Sequence, residues 1–188
     1  GPYEVDPSEC EIVLRSGCVS ESINREAIRH QANLVVVGAR GHGGLAHLFL
    51  GSTSGAVLRG TATPVLLVPP TDLEIVNITD RVTLTSGPIL APVDLGEDTA
   101  RQLEVASQLA GISGQPLLLM TVAARTLSDH LASRRLRDRG HGLAPVRPRA
   151  VIVRRGRVPE QISECAAAED SGLVVMGLRA RSRGRPGR

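Results

Sequence analysis

The chain has 188 residues, 41% of them apolar, and a formal net charge of +3, enough for one sizeable core or two small ones. With no Trp, one Tyr and one Phe it lacks the rings of a base-stacking platform. Arg supplies all 22 basic residues, which excludes a phosphate-loop lysine or a Schiff base. Cys10, Cys18 and Cys165 fit no metal-ligand spacing and read as thiols of a reducing compartment. No apolar run approaches the ~18 residues of a membrane span, and no signal-peptide pattern is read. The expectation is a cytoplasmic protein without membrane insertion and without a nucleic-acid partner.

In chain order, residues 12–14 (Ile-Val-Leu) predict a short strand. A helix follows, opening near Ser20 with Glu21 in its first turn and apolar Ile23, Ala27 and Ile28 on a 3.6 period. Residues 34–37 predict a strand apolar on both faces, as buried parallel strands are. A glycine- and histidine-rich loop leads to a helix at about 52–59, and Pro-Val-Leu-Leu-Val (64–68) predicts the next strand. Residues 71–86 are polar and mixed, and read as a linker.

A strand at 89–93 then ends on Asp94, and a helix at about 98–110 sets Leu103, Ala106, Leu109 and Ala110 on one face. A strand at 116–122, an Arg-rich helical segment at 125–142, a strand at 151–153, a helix opening at Pro159 and a strand at 173–176 complete the series. The last ten residues hold five Arg and read as a frayed terminus, although such a run also suits an anionic partner. Strands alternating with helices predict an α/β fold: an open parallel sheet with helices on both faces, Rossmann-like.

Sliding the chain on itself by 139 residues lays 15–41 on 154–180 without a gap. Gly17 meets Gly156, Glu21 meets Glu160, Ile23 meets Ile162, Ala27 meets Ala166, and Gly38 meets Gly177. The chain therefore reads as a tandem with both copies incomplete. Residues 1–70 are the C-terminal part of one domain, 71–86 the linker, and 87–188 the N-terminal part of the next. With this period, the opening strand and helix of the first copy would lie before residue 1.

The stretch VVVGARGHGGLAHLFLGSTSGAVL (35–58) carries the chemistry. Gly38 ends a strand, where an open parallel sheet binds ligands, and Gly41 can turn the chain through positive φ. Gly51 and Ser52 open a helix whose free amides suit phosphate oxygens. Ser52, Thr53 and Ser54 can donate hydroxyls, and Arg40 and His42 can face phosphates. The plain alternative is a tight strand-to-helix turn with Ser52 as a cap.

Gly38, Gly41, Gly51 and Ser52, spaced glycine-x2-glycine-x9-glycine-serine behind an apolar strand and before PVLLV, resemble the ATP-binding universal stress proteins. That resemblance covers 13–68 strongly and 88–176 moderately. It implies phosphates against Gly41, Gly51 and Ser52, with ribose and adenine nearer Val37 and Gly38. In the second copy it implies a nucleoside contact by Asp94, with Pro92 and Val122 flanking the base. Asp94 equally suits a cap on the following helix. The second copy has Ala180 in place of the second glycine.

The resemblance further implies ATP or another adenine nucleotide as ligand, with Mg²⁺ if the phosphates react, and a nucleotide-responsive role in stress adaptation. It implies a homodimer or an intramolecular pseudo-dimer, since 65–68 resembles the strand through which family members pair. The alternative function is a dimerisation or interaction module without nucleotide, including the regulatory tail of a transporter. No nucleophile, general base or Gly-x-Ser-x-Gly elbow is read, and His42 and His47 lack partners at metal-ligand spacing. No catalytic residue or metal ligand is assigned.

Overall fold

Parallel pairing of short aliphatic strands decides the architecture. In the structure, a computed structural model, residues 10–39, 51–68, 76–77, 83–84 and 87–178 are described. The chain divides into two compact units, Gly1–Leu73 and Glu74–Arg188.

The first unit holds α1 (Val19–Arg29), β1 (Val35–Gly38), α2 (Ser52–Gly60) and β2 (Val65–Val68). β1 and β2 run parallel, with Val35 opposite Val65 and Gly38 opposite Val68. Ala27, Val35 and Val57 form the core, with Ile23, Val37 and Val65 packed against it. Apolar positions four apart on α1, Ile23 and Ala27, thus bury as their spacing dictates. Ile28 does not: it is exposed, one residue round the helix from Ala27 and on the solvent side. The strand expected at 12–14 is also absent. A strand needs a ladder partner for its backbone, and among the described residues none lies beside this segment.

The second unit begins with β3 (Val76–Asn77) and β4 (Thr83–Leu84), a two-residue antiparallel ladder within the stretch read as linker. It continues through β5 (Ile89–Pro92), α3 (Ala100–Ser113), β6 (Leu117–Val122), α4 (Asp129–Gly140), β7 (Ala150–Arg154), α5 (Val158–Ala168) and β8 (Leu173–Val174). The main sheet runs β7-β6-β5-β8, all parallel.

Period-two alternation divides its side chains between two cores. Ile89, Ala91, Leu117 and Leu119 meet Leu103 and Ala106 of α3 and Leu136 of α4. Leu90, Leu118 and Met120 meet Cys165 on α5, whose thiol burial pushes up. Helices therefore cover both faces, as the runs of aliphatic residues require.

Two helices 139 residues apart share their local backbone. α1 and α5 have corresponding bounds, and each is preceded by a positive-φ glycine, Gly17 at 111° and Gly156 at 130°. Each ends in a Schellman turn on a left-handed non-glycine residue, Gln31 (φ 50°) and Asp170 (φ 48°). Ala32 N–H donates to Ala27 O at 2.8 Å, and Ser171 N–H to Ala166 O at 2.9 Å, the same bond in each copy.

Leu119 is fully buried at the centre of β6. Leu119→Ala is expected to destabilise the second unit by about 2–5 kcal/mol, read from urea denaturation. On α1, the Arg15 Nε–Glu26 Oε1 bond (2.8 Å) is the leading cause holding the Glu26 carboxyl below its ordinary value. A lowered carboxyl contributes stability above its unfolded pKa and loses it as pH falls through the folded one. Arg15→Ala should move the Glu26 midpoint upward in an NMR titration, with the affected window below pH ~4.5.

Candidate nucleotide site

At the carboxyl end of β1 two hydrogen bonds hold the start of α2 against the strand. Ala39 N–H extends the ladder to Val68 O (2.8 Å), and Ala39 O accepts from Gly51 N–H (3.0 Å). Ser54 Oγ donates to Gly38 O (2.7 Å), and the Ser54 side chain is buried. One turn further along α2, Val57 is inserted in the core. Strand end and helix start, more than ten residues apart in the chain, thereby share one mouth.

Gly38, Ser52 and Thr53 are exposed at that mouth, while Val37 and Gly51 are half-buried. Gly51 is the N-cap of α2 at φ −54° and ψ 148°, with no side-chain cap. Any residue can adopt that backbone, so the turn itself does not call for glycine. What glycine contributes is a helix mouth free of Cβ. Its own amide is engaged by Ala39, which leaves the following amides of the first turn as the donors facing outward. Ser54, read as a hydroxyl donor to a ligand, directs its proton to Gly38 O instead. Arg40, Gly41 and His42 lie outside the described residues.

The second unit carries the other three expected residues on its own strand ends. In its sheet the chain leaves β5 for β6 on one side and returns to β8 on the other, so the crevice between β5 and β8 is the topological switch point. Asp94 lies just beyond β5, and its Oδ1 accepts from Gly96 N–H at 2.9 Å, an Asx turn opening the loop to α3. Val122 closes β6, opposite Arg154.

Pro92 O faces a group the sequence reading missed. Gln102 Nε2 donates to Pro92 O (2.7 Å) and to Val175 O (2.8 Å), bridging the ends of both strands. A primary amide has two protons, and both are engaged here. A Cβ placed on Gly177 would lie 3.1 Å from Gln102 Oε1, so glycine there leaves room for the bridge. The available signal was a glutamine set four residues before Ala106, within the apolar stripe of α3.

Two arginines secure loops that follow strands of this sheet. Arg139 donates to Glu97 O (2.9 Å), Thr99 Oγ1 (3.0 Å) and Leu95 O (3.4 Å). Arg155 donates to Ala124 O and Leu127 O and pairs with Asp129. A cavity of about 590 Å³ beside Arg139 is lined by Gly96, Glu97, Asp98, Ala100, Leu103 and Leu143. None of the sequence-predicted residues lines it. Among the described residues no His/Cys/Asp/Glu group could hold a metal ion, and no helix is long and apolar enough to cross a membrane.

Parallel strands under helices define an α/β protein, a class of fold whose crevices open at the carboxyl ends of the strands. Comparison with known proteins agrees. The profile of the universal stress protein family matches residues 4–69. A universal stress protein of Thermus aquaticus is 43% identical over 58 residues, 31% of this chain and 42% of its own length. Universal stress protein G of Salmonella typhimurium is 35% identical over 68 residues, 36% of this chain and 47% of its own. The chain thus spans less than half the length of these curated relatives.

Solved structures extend the likeness of fold. A universal stress protein from Archaeoglobus fulgidus matches 87% of this chain and 55% of its own, with TM-score 0.63 and 18% identity. A functionally unknown protein from Pseudomonas aeruginosa PAO1 matches 89% of this chain and 59% of its own, with TM-score 0.60 and 19% identity.

The Gln102 bridge generates a direct test. Gln102→Met preserves bulk but leaves two carbonyls without donors, with an expected cost of about 1–3 kcal/mol. Hydrogen exchange at the Val175 amide, which donates to Leu90 O, should accelerate with it.

Proposed function

We propose that this chain is a nucleotide-responsive stress protein that binds an adenine nucleotide, ATP in the first instance, at the mouth between β1 and α2. The observation that carries the reading is the Gly51 N-cap. Glycine stands where the backbone does not need it, at a helix start held against a strand end, with Gly38, Ser52 and Thr53 exposed around it.

The residues fit a phosphate chain. The first-turn amides and the hydroxyls of Ser52 and Thr53 would hold the oxygens, where the positive end of the helix favours anions by ~0.3–1 kcal/mol per charge. Arg40, Gly41 and His42 would complete the cradle, with ribose and base toward Val37 and Gly38. Bound Mg²⁺ would neutralise the phosphates, and this chain's own contribution is to bind and orient them.

The domain reading belongs to the same proposal: 1–70 as one universal-stress-type domain part, 71–86 joining, and 87–188 as the part of a second. Asp94, Pro92 and Val122 are the second copy's nucleoside-side positions. We place the protein in the cytoplasm, pairing as a homodimer or pseudo-dimer. The competing reading, a pairing module without nucleotide, is separated by the same experiment.

That experiment is thermal unfolding with and without ATP. At ATP about 100-fold above Kd, bound ligand adds ~2.7 kcal/mol and raises the Tm of the wild type. Gly51→Val places a branched side chain in the mouth and should abolish the shift, and Ser52→Ala should weaken binding several-fold. A wild-type Tm indifferent to millimolar ATP, with no adenine nucleotide released on denaturing the fresh protein, would leave the pairing module as the better reading.

A further inference from the structure

We propose that the arginine face of α4, in the second unit, docks on an anionic lipid surface. Residues 125–157 hold ten Arg and two Asp, a formal charge of +8, against +3 for the whole chain. All ten Arg are exposed. The remaining residues are net negative, so the positive field belongs to this segment alone. Arg139, Arg155 and Arg157 are engaged within the protein, by the loop 95–99, Asp129 and Glu160. Arg134, Arg135, Arg137, Arg147 and Arg149 form no ion pair among the described residues.

Local structure gathers these charges. α4 opens on Ser128, whose side chain accepts from Leu131 N–H, and it buries Ala132, Leu136 and Gly140, each four residues from the last. The opposite side carries Arg134 and Arg137, with exposed His130 and His141 in the same row. At the end of the helix a Cβ on Gly140 would lie 2.7 Å from Pro148 Cγ. That close approach sets Arg147 and Arg149, which flank Pro148, at the carboxyl end of α4. Of the two Asp, Asp129 is paired with Arg155, and Asp138 lies one turn from Arg134.

The partner's chemistry follows from what this face has and lacks. The apolar stripe of α4 is in the core, which leaves Leu131 as its exposed large apolar side chain. A helix that inserts into a bilayer needs a free apolar face, so attachment here is electrostatic and peripheral. Each Arg held near an anionic leaflet adds to such binding. A duplex groove suits the helix less. Arg139 ties α4 to the loop 95–99 on one flank and Pro148 packs at its end, so it does not project as a groove-reading helix must. An acidic peptide needs a trough, and the cavities at α4 open on its other flank, at Arg135 and Arg139. A lipid surface needs neither ridge nor trough.

The test is vesicle co-sedimentation of the full chain without nucleotide, so its outcome is independent of ATP binding. Vesicles of phosphatidylcholine alone are compared with vesicles carrying about 30% phosphatidylglycerol. The protein should pellet with the anionic vesicles at ~0.1 M NaCl, stay in solution with the neutral ones, and be released at ~0.5 M NaCl. Arg134→Gln with Arg137→Gln should weaken binding about tenfold or more. Circular dichroism of that pair should match wild type, since both side chains are exposed; Arg147→Gln with Arg149→Gln serves if it misfolds. Arg25→Gln with Arg59→Gln removes the same charge from exposed positions of the first unit and should bind as wild type. Absence of binding to anionic vesicles, full binding by the α4 pair, or equal loss in the first-unit pair would each overturn the proposal. So would tighter binding, at the same salt, to a polyglutamate peptide or a DNA duplex.

Discussion

Two hydrogen bonds set the geometry of the first unit: Gly51 N–H to Ala39 O and Ser54 Oγ to Gly38 O. They join a strand end to a helix start, and Val57 packs α2 into the same core as Val35. Because α2 begins at the strand's carboxyl end, its outward amides and hydroxyls converge on one mouth. The Ser54 hydroxyl holds the turn from the inside, and Gly51 adds no side chain to it.

The second unit has a strand-end crevice of another kind. Its switch point lies between β5 and β8, and Gln102 bridges the last carbonyls of both strands. Buried or half-buried carbonyls at strand ends must find donors, from water, a ligand or the protein itself. The first unit leaves its mouth exposed at Gly38, whereas the second closes its floor with a side chain from α3.

Much of this could be read in advance. Continuous aliphatic runs at 35–37, 65–68, 89–91 and 117–120 announced parallel strands, and the stripe of Leu103, Ala106, Leu109 and Ala110 announced the buried face of α3. The repeat was visible as residue identity before it was visible as matching Schellman turns. Other features had no local signature. Residues 12–14 have strand-forming side chains, yet a strand exists only where a neighbour completes its ladder. Ile28 fits the helical period but falls on the side of α1 that nothing covers. The short ladder of β3 and β4 arises in a polar stretch where hydrophobic period carries no information.

What the sequence alone determined is therefore what depends on near neighbours: element type, helix period, and the resemblance carried by the segment around Gly38 and Gly51. Tertiary structure decided which polar groups answer one another. Ser54 points at Gly38 O, Asp94 at Gly96 N–H, and Gln102 at two strands seventy-three residues or fewer away in the chain. The reason is physical. Propensity and periodicity are properties of a segment, whereas a hydrogen bond between strand ends requires partners that only the assembled sheet brings within 3 Å.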